Sequence, residues 1–113
     1  MNVAIHGKFF SEHTIAAVQK LVDALHNHRA EIMFSADFYE VVSQHNIDLK
    51  GVGRFTQPRQ LRDCSALISM GGDGTFLESI TYVGPLQKPL LGINTGRLGF
   101  LATINIDQID EAV

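Results

Sequence analysis

The segment at residues 68–77, with the sequence ISMGGDGTFL, contains residue types suited to binding phosphate groups. An apolar run ends at Gly71 and Gly72, and an acid, a third glycine and a hydroxyl residue follow where a helix is expected to begin. Glycines let backbone N–H groups approach a ligand because no Cβ stands in the way. The unpaired N–H groups and the dipole of a helix start attract anions. The segment therefore predicts a polyphosphate site.

Asp73 lies inside that glycine-rich turn. Phosphates repel a carboxylate, so an acid at this position indicates a partner such as a metal ion, a sugar hydroxyl or a proton in transfer. A structural interpretation competes with this one, because a Gly-Gly-Asp-Gly run also makes a tight turn in which Asp73 caps the next helix. The strand and helix expected on either side favour the functional interpretation.

A second segment, residues 92–103 with the sequence GINTGRLGFLAT, carries two further candidates. Arg97 follows Gly96, and a planar guanidinium beside a glycine suits phosphate oxygens, although a solvated surface arginine fits the same pattern. Phe100 is able to stack on a base, but an aromatic side chain in an apolar run more often fills the core. On the residues alone, both interpretations of each side chain stay open.

Together, the two segments resemble the NAD kinases. The GGDGT sequence at residues 71–75 is typical of a superfamily that includes NAD kinases, diacylglycerol and sphingosine kinases, and 6-phosphofructokinases. The Asn-Thr-Gly and Leu-Gly-Phe parts of the second segment are similar to NAD kinases in particular. The resemblance covers the whole chain and is strongest at residues 67–102.

The resemblance implies phosphoryl transfer from ATP, or from inorganic polyphosphate, to the adenosine ribose 2'-hydroxyl of NAD, with Mg²⁺ accompanying ATP. It implies that Asp73 accepts the proton of that hydroxyl and that Gly74 lies against the dinucleotide. It also places Phe100 near adenine and Arg97 near the phosphates. The full set of nucleotide contacts predicted in this way is Gly71, Gly72, Asp73, Gly74, Thr75, Asn94, Arg97 and Phe100.

Glu78 departs from the family pattern, in which many members carry a basic or small residue at this point of the helix. An acid there argues against a phosphate contact from that helix position. Two alternatives to an NAD kinase remain: a lipid or sugar kinase of the same superfamily, and a module that binds nucleotides without transferring phosphate.

The elements that must position these residues alternate between strand and helix. Apolar patterns predict strands at residues 2–6, 31–34, 67–70 and 89–93, helices at 14–28, 37–44 and 75–83, a loop at 51–58, and a last helix opened by Asn105 and Gln108. Strands that are apolar on both faces and separated by helices indicate a Rossmann-like α/β fold, an open parallel sheet with helices on both faces.

Length and composition restrict the partners. The 113 residues fit one α/β domain, and a formal net charge of −3 without a Lys/Arg cluster argues against nucleic acid or an anionic membrane. Cys64 is the single cysteine, and the histidines form no pattern typical of metal ligands. We expect a cytoplasmic protein that binds NAD and ATP.

The family completes its site with a second, mostly β domain, which nothing in these 113 residues resembles. We therefore expect the isolated chain to be inactive. We also expect it to self-associate as a homo-oligomer, because a face normally covered by another domain or subunit leaves apolar surface exposed.

Overall fold

The computed structural model describes residues 1–8, 12–83, 86, 88–94 and 104–105, and it does not describe the side chains of residues 12, 13, 73, 94, 104 and 105. The strands are β1 (Asn2–Gly7), β2 (Glu31–Ser35), β3 (Gly53–Phe55), β4 (Ala66–Gly71), β5 (Leu90–Asn94) and β6 (Ile104–Asn105). The helices are α1 (Glu12–Asn27), α2 (Ala36–Ser43), α3 (Asp73–Val83) and a 3₁₀ turn at Pro58–Leu61.

The strands form one sheet in the order β3-β2-β1-β4-β5-β6, and each neighbouring pair is parallel. This is the strand order of doubly wound dinucleotide-binding folds. The central pair joins β1 to β4, with Val3 opposite Ala66 and Gly7 opposite Met70. The predicted α/β class with an open parallel sheet is confirmed.

Helices cover both faces of the sheet. Successive side chains of a strand point to opposite faces, so Val3 and Ile5 of β1 share one core while Ala4 lies in the other. The first core includes α1 and α2, through residues such as Leu21 and Phe38. The second core includes α3 and the 3₁₀ turn, through Val83 and Leu61 among others. The chain after β1 therefore turns to one face, and the chain after β4 turns to the other.

The predicted loop at residues 51–58 is wrong in part, because it contains strand β3. Phe55 is 1% exposed and pairs with Ser35, so one buried aromatic anchors a three-residue edge strand. The guanidinium of Arg54 lies 4.6 Å from the ring centre of Tyr39, which fastens the same strand to α2. Three residues are too few for an alternating pattern to be visible in the sequence.

Two other boundaries differ from the prediction. Helix α3 begins at Asp73 rather than at Thr75, because the N–H of Phe76 already donates to the carbonyl of Gly72 at 3.1 Å. Asn105 belongs to strand β6, opposite Asn94, where the sequence pattern predicted a helix cap. The last predicted helix, including Gln108, lies outside the described residues.

Candidate functional site

The direction in which successive strands are added to the sheet reverses between β1 and β4, and the candidate site lies at the carboxyl end of this pair. Strands β2 and β3 lie on one side of β1, and β5 and β6 lie on the far side of β4. The helices that follow β1 and β4 pack on opposite faces of the sheet, and in open parallel sheets such a switch point leaves a crevice. Ligands of open parallel sheets bind in this crevice. Three of the predicted contact residues lie at this end of β4: Gly71 is its last residue, and Gly72 and Asp73 follow.

The glycine-rich turn forms as predicted at this edge. Gly71 ends β4 with φ of 152°, a backbone conformation that side-chain-bearing residues rarely adopt. Gly72 follows it, and α3 begins at Asp73. The first N–H groups of α3 have no partner within the helix and carry the positive end of its dipole. The turn therefore presents the electrostatics that a phosphate requires.

Gly72 and Gly74 are not needed as glycines by the fold. A Cβ added at either position meets no atom within 4 Å. Gly7 is the opposite case, since its Cβ would lie 2.7 Å from the carbonyl oxygen of Met70 and 2.9 Å from Cζ of Phe38. The open space over Gly72 and Gly74 is where a ligand can approach the backbone.

Thr75 is 2% exposed, and its Oγ1 has no hydrogen-bond partner among the described residues. An unsatisfied buried hydroxyl costs about 1–3 kcal/mol, so such groups in native proteins normally meet a water or a ligand. The orphan oxygen lies in the first turn of α3, directly after Gly74. The structure thus gives Thr75 unused hydrogen-bonding capacity beside the predicted phosphate site.

Asn94 is brought next to the glycine turn by strand pairing. It is the last residue of β5 and lies opposite Gly71 in the register of β4 and β5. A narrow recess at this edge is lined by Gly71, Gly72, Phe76 and residues of β4 and β5. The predicted contacts Arg97 and Phe100 lie outside the described residues, as does the side chain of Asp73.

Sequence reasoning missed a polar network on the α3 side of the same crevice. His6, the penultimate residue of β1, is 4% exposed. Its Nδ1 lies 2.7 Å from Oγ of Ser35, and its Nε2 lies 2.7 Å from Oε1 of Glu78. The second carboxylate oxygen of Glu78 lies 3.1 Å from Nζ of Lys8. The network therefore links β2, β1 and α3, and it ends at a lysine just beyond β1.

The chemistry of the partners assigns the protons in this network. An ionised carboxylate accepts hydrogen bonds and cannot donate them, so Nε2 of His6 carries a proton and donates to Glu78. In neutral His6 the other nitrogen accepts, and Ser35 donates its hydroxyl proton to it. The hydrogen bond from Lys8, aided by that from His6, holds the pKa of Glu78 below its ordinary value, although partial burial opposes the shift. Tyr82 flanks the imidazole, with ring centres 5.2 Å apart.

No signal along the chain could have revealed this network, because its members are far apart in sequence. Glu78 was predicted to be an obstacle to phosphate contacts, whereas the structure shows it engaged by a cation and an imidazole. Among the described side chains, no group of three or more His, Cys, Asp or Glu residues is placed to bind a metal ion.

Comparison with known proteins decides the family. The profile of the ATP-NAD kinase N-terminal domain matches residues 7–113, nearly the whole chain. The chain belongs to the ATP-NAD kinase N-terminal domain family. Curated relatives named NAD kinase include those of Cytophaga hutchinsonii, 40% identical over 114 residues, and of Christiangramia forsetii and Bacteroides fragilis, each 35% identical. Each match covers 100% of this chain.

Those NAD kinases are much longer than this chain, which spans 39% of the length of each. The matched region contains the glycine turn, strand β5 and the segment after it. The matched region thus includes the residues of the candidate site. None of the helices in the described residues is long and apolar enough to cross a membrane.

A second cleft of about 340 Å³ lies at the other edge of the sheet in this NAD kinase-family domain. It is lined by residues from the starts of β1 and β2, including Asn2 and Glu31, and by Gly51 and Gly53. Parallel sheets bind ligands at the carboxyl ends of their strands, and this cleft lies at the amino ends. We therefore keep the carboxyl end of β1 and β4 as the candidate site.

Proposed function

We propose that the protein carrying this domain transfers the terminal phosphoryl group of ATP to the adenosine ribose 2'-hydroxyl of NAD and releases ADP and NADP. The observation that carries the proposal is the placement of the glycine turn. The GGDGT residues join β4 to α3 at the switch point of the sheet, and a helix start there offers unpaired backbone N–H groups to a phosphate. Membership in the NAD kinase family favours NAD over a lipid or sugar as acceptor.

Within this proposal, Asp73 accepts the proton of the 2'-hydroxyl as the oxygen attacks phosphorus. Gly71, Gly72, Gly74 and Thr75 line the nucleotide, and the buried hydroxyl of Thr75 supports a ligand contact there. We retain Asn94, Arg97 and Phe100 as proposed contacts of the dinucleotide; the position of Asn94 opposite Gly71 supports the first of these.

Magnesium enters the proposal with ATP, as an ion that shields the phosphate charge. The phosphates of ATP would supply ligands of the ion. Phosphoryl transfer depends mainly on positioning and charge stabilisation. Among the described residues, we assign the binding and charge stabilisation of the phosphates to the backbone N–H groups at the start of α3.

The test is NADP formation by the full-length protein with NAD, ATP and magnesium, compared with inorganic polyphosphate as donor. Asp73→Asn should lower turnover by about 10²–10⁴, the usual worth of a general base, while NAD affinity and melting temperature stay near wild type. Asn has nearly the same shape as Asp, so the substitution removes the charge and little else. Helix α3 begins at Asp73 and its first hydrogen bond ends on the carbonyl of Gly72, so Gly72 holds the cap position. Near-normal turnover in this variant would leave Asp73 as a structural residue of the first turn and remove it from the mechanism.

A module that binds without catalysis is the alternative outcome. It would bind NAD and ATP in calorimetry and form no NADP with either donor. Phosphorylation of a lipid or a sugar in place of NAD would show that the protein is a lipid or sugar kinase of the same superfamily.

A further inference from the structure

Lys8 is placed beside the glycine turn by the central pair of strands. Gly7 lies opposite Met70, and the N–H of Lys8 donates to the carbonyl of Met70 at 3.1 Å. Lys8 and Gly71 are thus the next residues on the two neighbouring strands at the carboxyl edge. The lysine is the first residue after β1, at the edge of the sheet where the switch-point crevice is expected.

The side chain of Lys8 is held over α3 by a carboxylate. Its Nζ lies 3.1 Å from Oε2 of Glu78, which is in the second turn of the helix that starts at the glycine turn. The other oxygen of Glu78 accepts from His6, and His6 is fixed in turn by Ser35. Both oxygens of the carboxylate therefore have a partner, and the orientation of Glu78 is set from inside the sheet.

We propose that Lys8 binds phosphate oxygens of the nucleotide in the β1/β4 crevice and that Glu78, His6 and Ser35 are positioning residues for it. The ligand class is a nucleotide with at least two linked phosphates. The inference rests on the site of the proposed function and adds a cation to it that the glycine turn does not supply.

The hydrogen-bonding capacity of the ammonium group supports this role. An ammonium has three N–H donors, and the contact with Glu78 accounts for one of them. The side chain of Lys8 is 51% exposed, so the remaining donors are accessible to a ligand at this edge. A lysine acts on phosphate as a point charge, which complements the backbone N–H groups of the glycine turn.

The contact between Lys8 and Glu78 also reduces the repulsion that a carboxylate near phosphates would otherwise cause. Glu78 forms an ion pair with Lys8, so the pair is close to neutral and the carboxylate repels an incoming phosphate much less than a free one. A half-exposed ion pair stabilises a fold little. Fold stability alone therefore gives little reason for the contact between Lys8 and Glu78.

The first experiment compares Lys8→Met, which keeps the chain length and removes the charge, with Lys8→Arg in the full-length protein. The matched control is Lys50→Met, at an exposed lysine near the amino-terminal edge of the sheet. Calorimetry with ADP and with NAD should show the Kd of at least one probe rising about 10- to 100-fold in Lys8→Met, as expected for loss of a charged hydrogen bond. Lys8→Arg and the control should stay within about threefold of wild type, and the salt dependence of binding should flatten in Lys8→Met alone.

Unchanged Kd values for both probes in Lys8→Met would overturn the proposal. If Lys8→Met has a lowered melting temperature, Lys8→Gln provides a second uncharged variant with the same expected result. Failure of the proposed function has a different signature: no NADP forms, while ADP binding still depends on Lys8. NADP formation with unaltered KM values in Lys8→Met would instead retain the function and refute the inference.

The second experiment tests whether Glu78 acts through Lys8, by means of a double-mutant cycle with Glu78→Gln. The Glu78 change should alter ADP affinity in the wild-type background and have no further effect when Lys8 is already Met. Equal effects of Glu78→Gln in the two backgrounds would show that Glu78 acts independently of the lysine. A purely structural role would lower the melting temperature and leave the ADP Kd unchanged, and that result would also refute the positioning role.

Discussion

The glycines of this chain differ in how much space surrounds them, and this difference indicates why each position holds a glycine. Gly7 is packed so closely against Met70 and Phe38 that a methyl group has no room. Gly72 and Gly74 face open space, so a methyl group at either one would disturb only something that arrives from outside. The distinction assigns the first glycine to folding and leaves the other two available for the proposed ligand contacts.

Gly74→Ala should weaken NAD binding without weakening the fold. Alanine is favoured over glycine within a helix by about 0.5–1 kcal/mol, and the added Cβ meets nothing in the protein. A bound dinucleotide lying against Gly74 would meet that methyl group, and a steric penalty of about 1–3 kcal/mol corresponds to roughly a 5- to 150-fold loss of affinity. Calorimetry with NAD and a melting curve on the same sample measure both effects. Unchanged affinity would remove Gly74 from the site.

Glu78 should make stability depend on pH in mildly acidic solution. Its pKa in the folded protein lies below the ordinary value of 4.5, because Lys8 and His6 favour the ionised form. The stability that this carboxylate contributes is therefore present above about pH 4.5 and is lost as the pH falls through the lower folded-state pKa. Glu78 is 43% exposed, so we expect a contribution of no more than about 1 kcal/mol.

The measurement is the melting temperature between about pH 3 and pH 7 for wild type, Glu78→Gln and the exposed control Glu40→Gln. Wild type and Glu40→Gln should lose stability together as the pH falls, and Glu78→Gln should lose less. Three parallel curves would mean that the contacts of Glu78 do not stabilise the folded state.

At the scale of elements, both the core and the candidate site depend on the pairing of β1 with β4. This is the central pair of the sheet, and its carboxyl end carries the glycine turn and Lys8. Helices α1 and α3 lie on opposite faces of this pair, so a change in its register would displace both walls of the crevice.

Gly7→Ala should destabilise the fold at the pairing of β1 with β4. The new Cβ would lie 2.7 Å from a backbone oxygen of β4, and backbone in the middle of a sheet cannot easily move away. We expect a loss of about 1–3 kcal/mol, and each kcal/mol lowers the melting temperature of a domain of this size by about 4–8 °C. Gly53→Ala is the matched control, because its Cβ would be 3.7 Å from the nearest atom, on edge strand β3. Similar melting temperatures for the two variants would contradict the assigned packing.

Much of the element pattern could be predicted from sequence, because β1, β4 and β5 are apolar runs that end in glycine or asparagine. The short strands β3 and β6 could not, since each owes its existence to pairing with a longer neighbour rather than to its own residues. The glycine turn was recognisable because its residues are contiguous. The network of Ser35, His6 and Glu78 was not, because sheet order and helix placement bring those residues together.

At the scale of the whole molecule, α3 exposes apolar side chains on its outer surface. Leu77 is 54% exposed and Ile80 is 42% exposed, and the two lie one turn apart on the helix. The chain spans 39% of the length of its curated relatives, so in those proteins other parts are available to cover such a surface.

The chain of residues 1–113, produced alone, should therefore self-associate through α3. Light scattering at tens of micromolar, roughly where weak contacts become visible, should show species larger than a monomer. The double variant Leu77→Lys/Ile80→Lys should reduce the association, because charges on the helix remove its apolar surface. The control is Asp48→Lys, at an exposed residue away from α3. The neighbouring Leu49 is avoided because its side chain packs against the core. A monodisperse monomer of the unmodified chain would refute the expectation.

The central position of β1 has a consequence for synthesis on the ribosome. Strand β1 emerges first, but its partner β4 follows about 60 residues later, and contacts between such distant segments form slowly. At roughly 5–20 residues per second, the nascent chain waits several seconds with one edge of β1 unpaired. During that time β1, β2 and β3 form at most a partial sheet with an apolar open edge, which is prone to mispairing with other chains. Codon changes that slow translation between residues 36 and 66 would lengthen this exposure and lower the yield of folded protein.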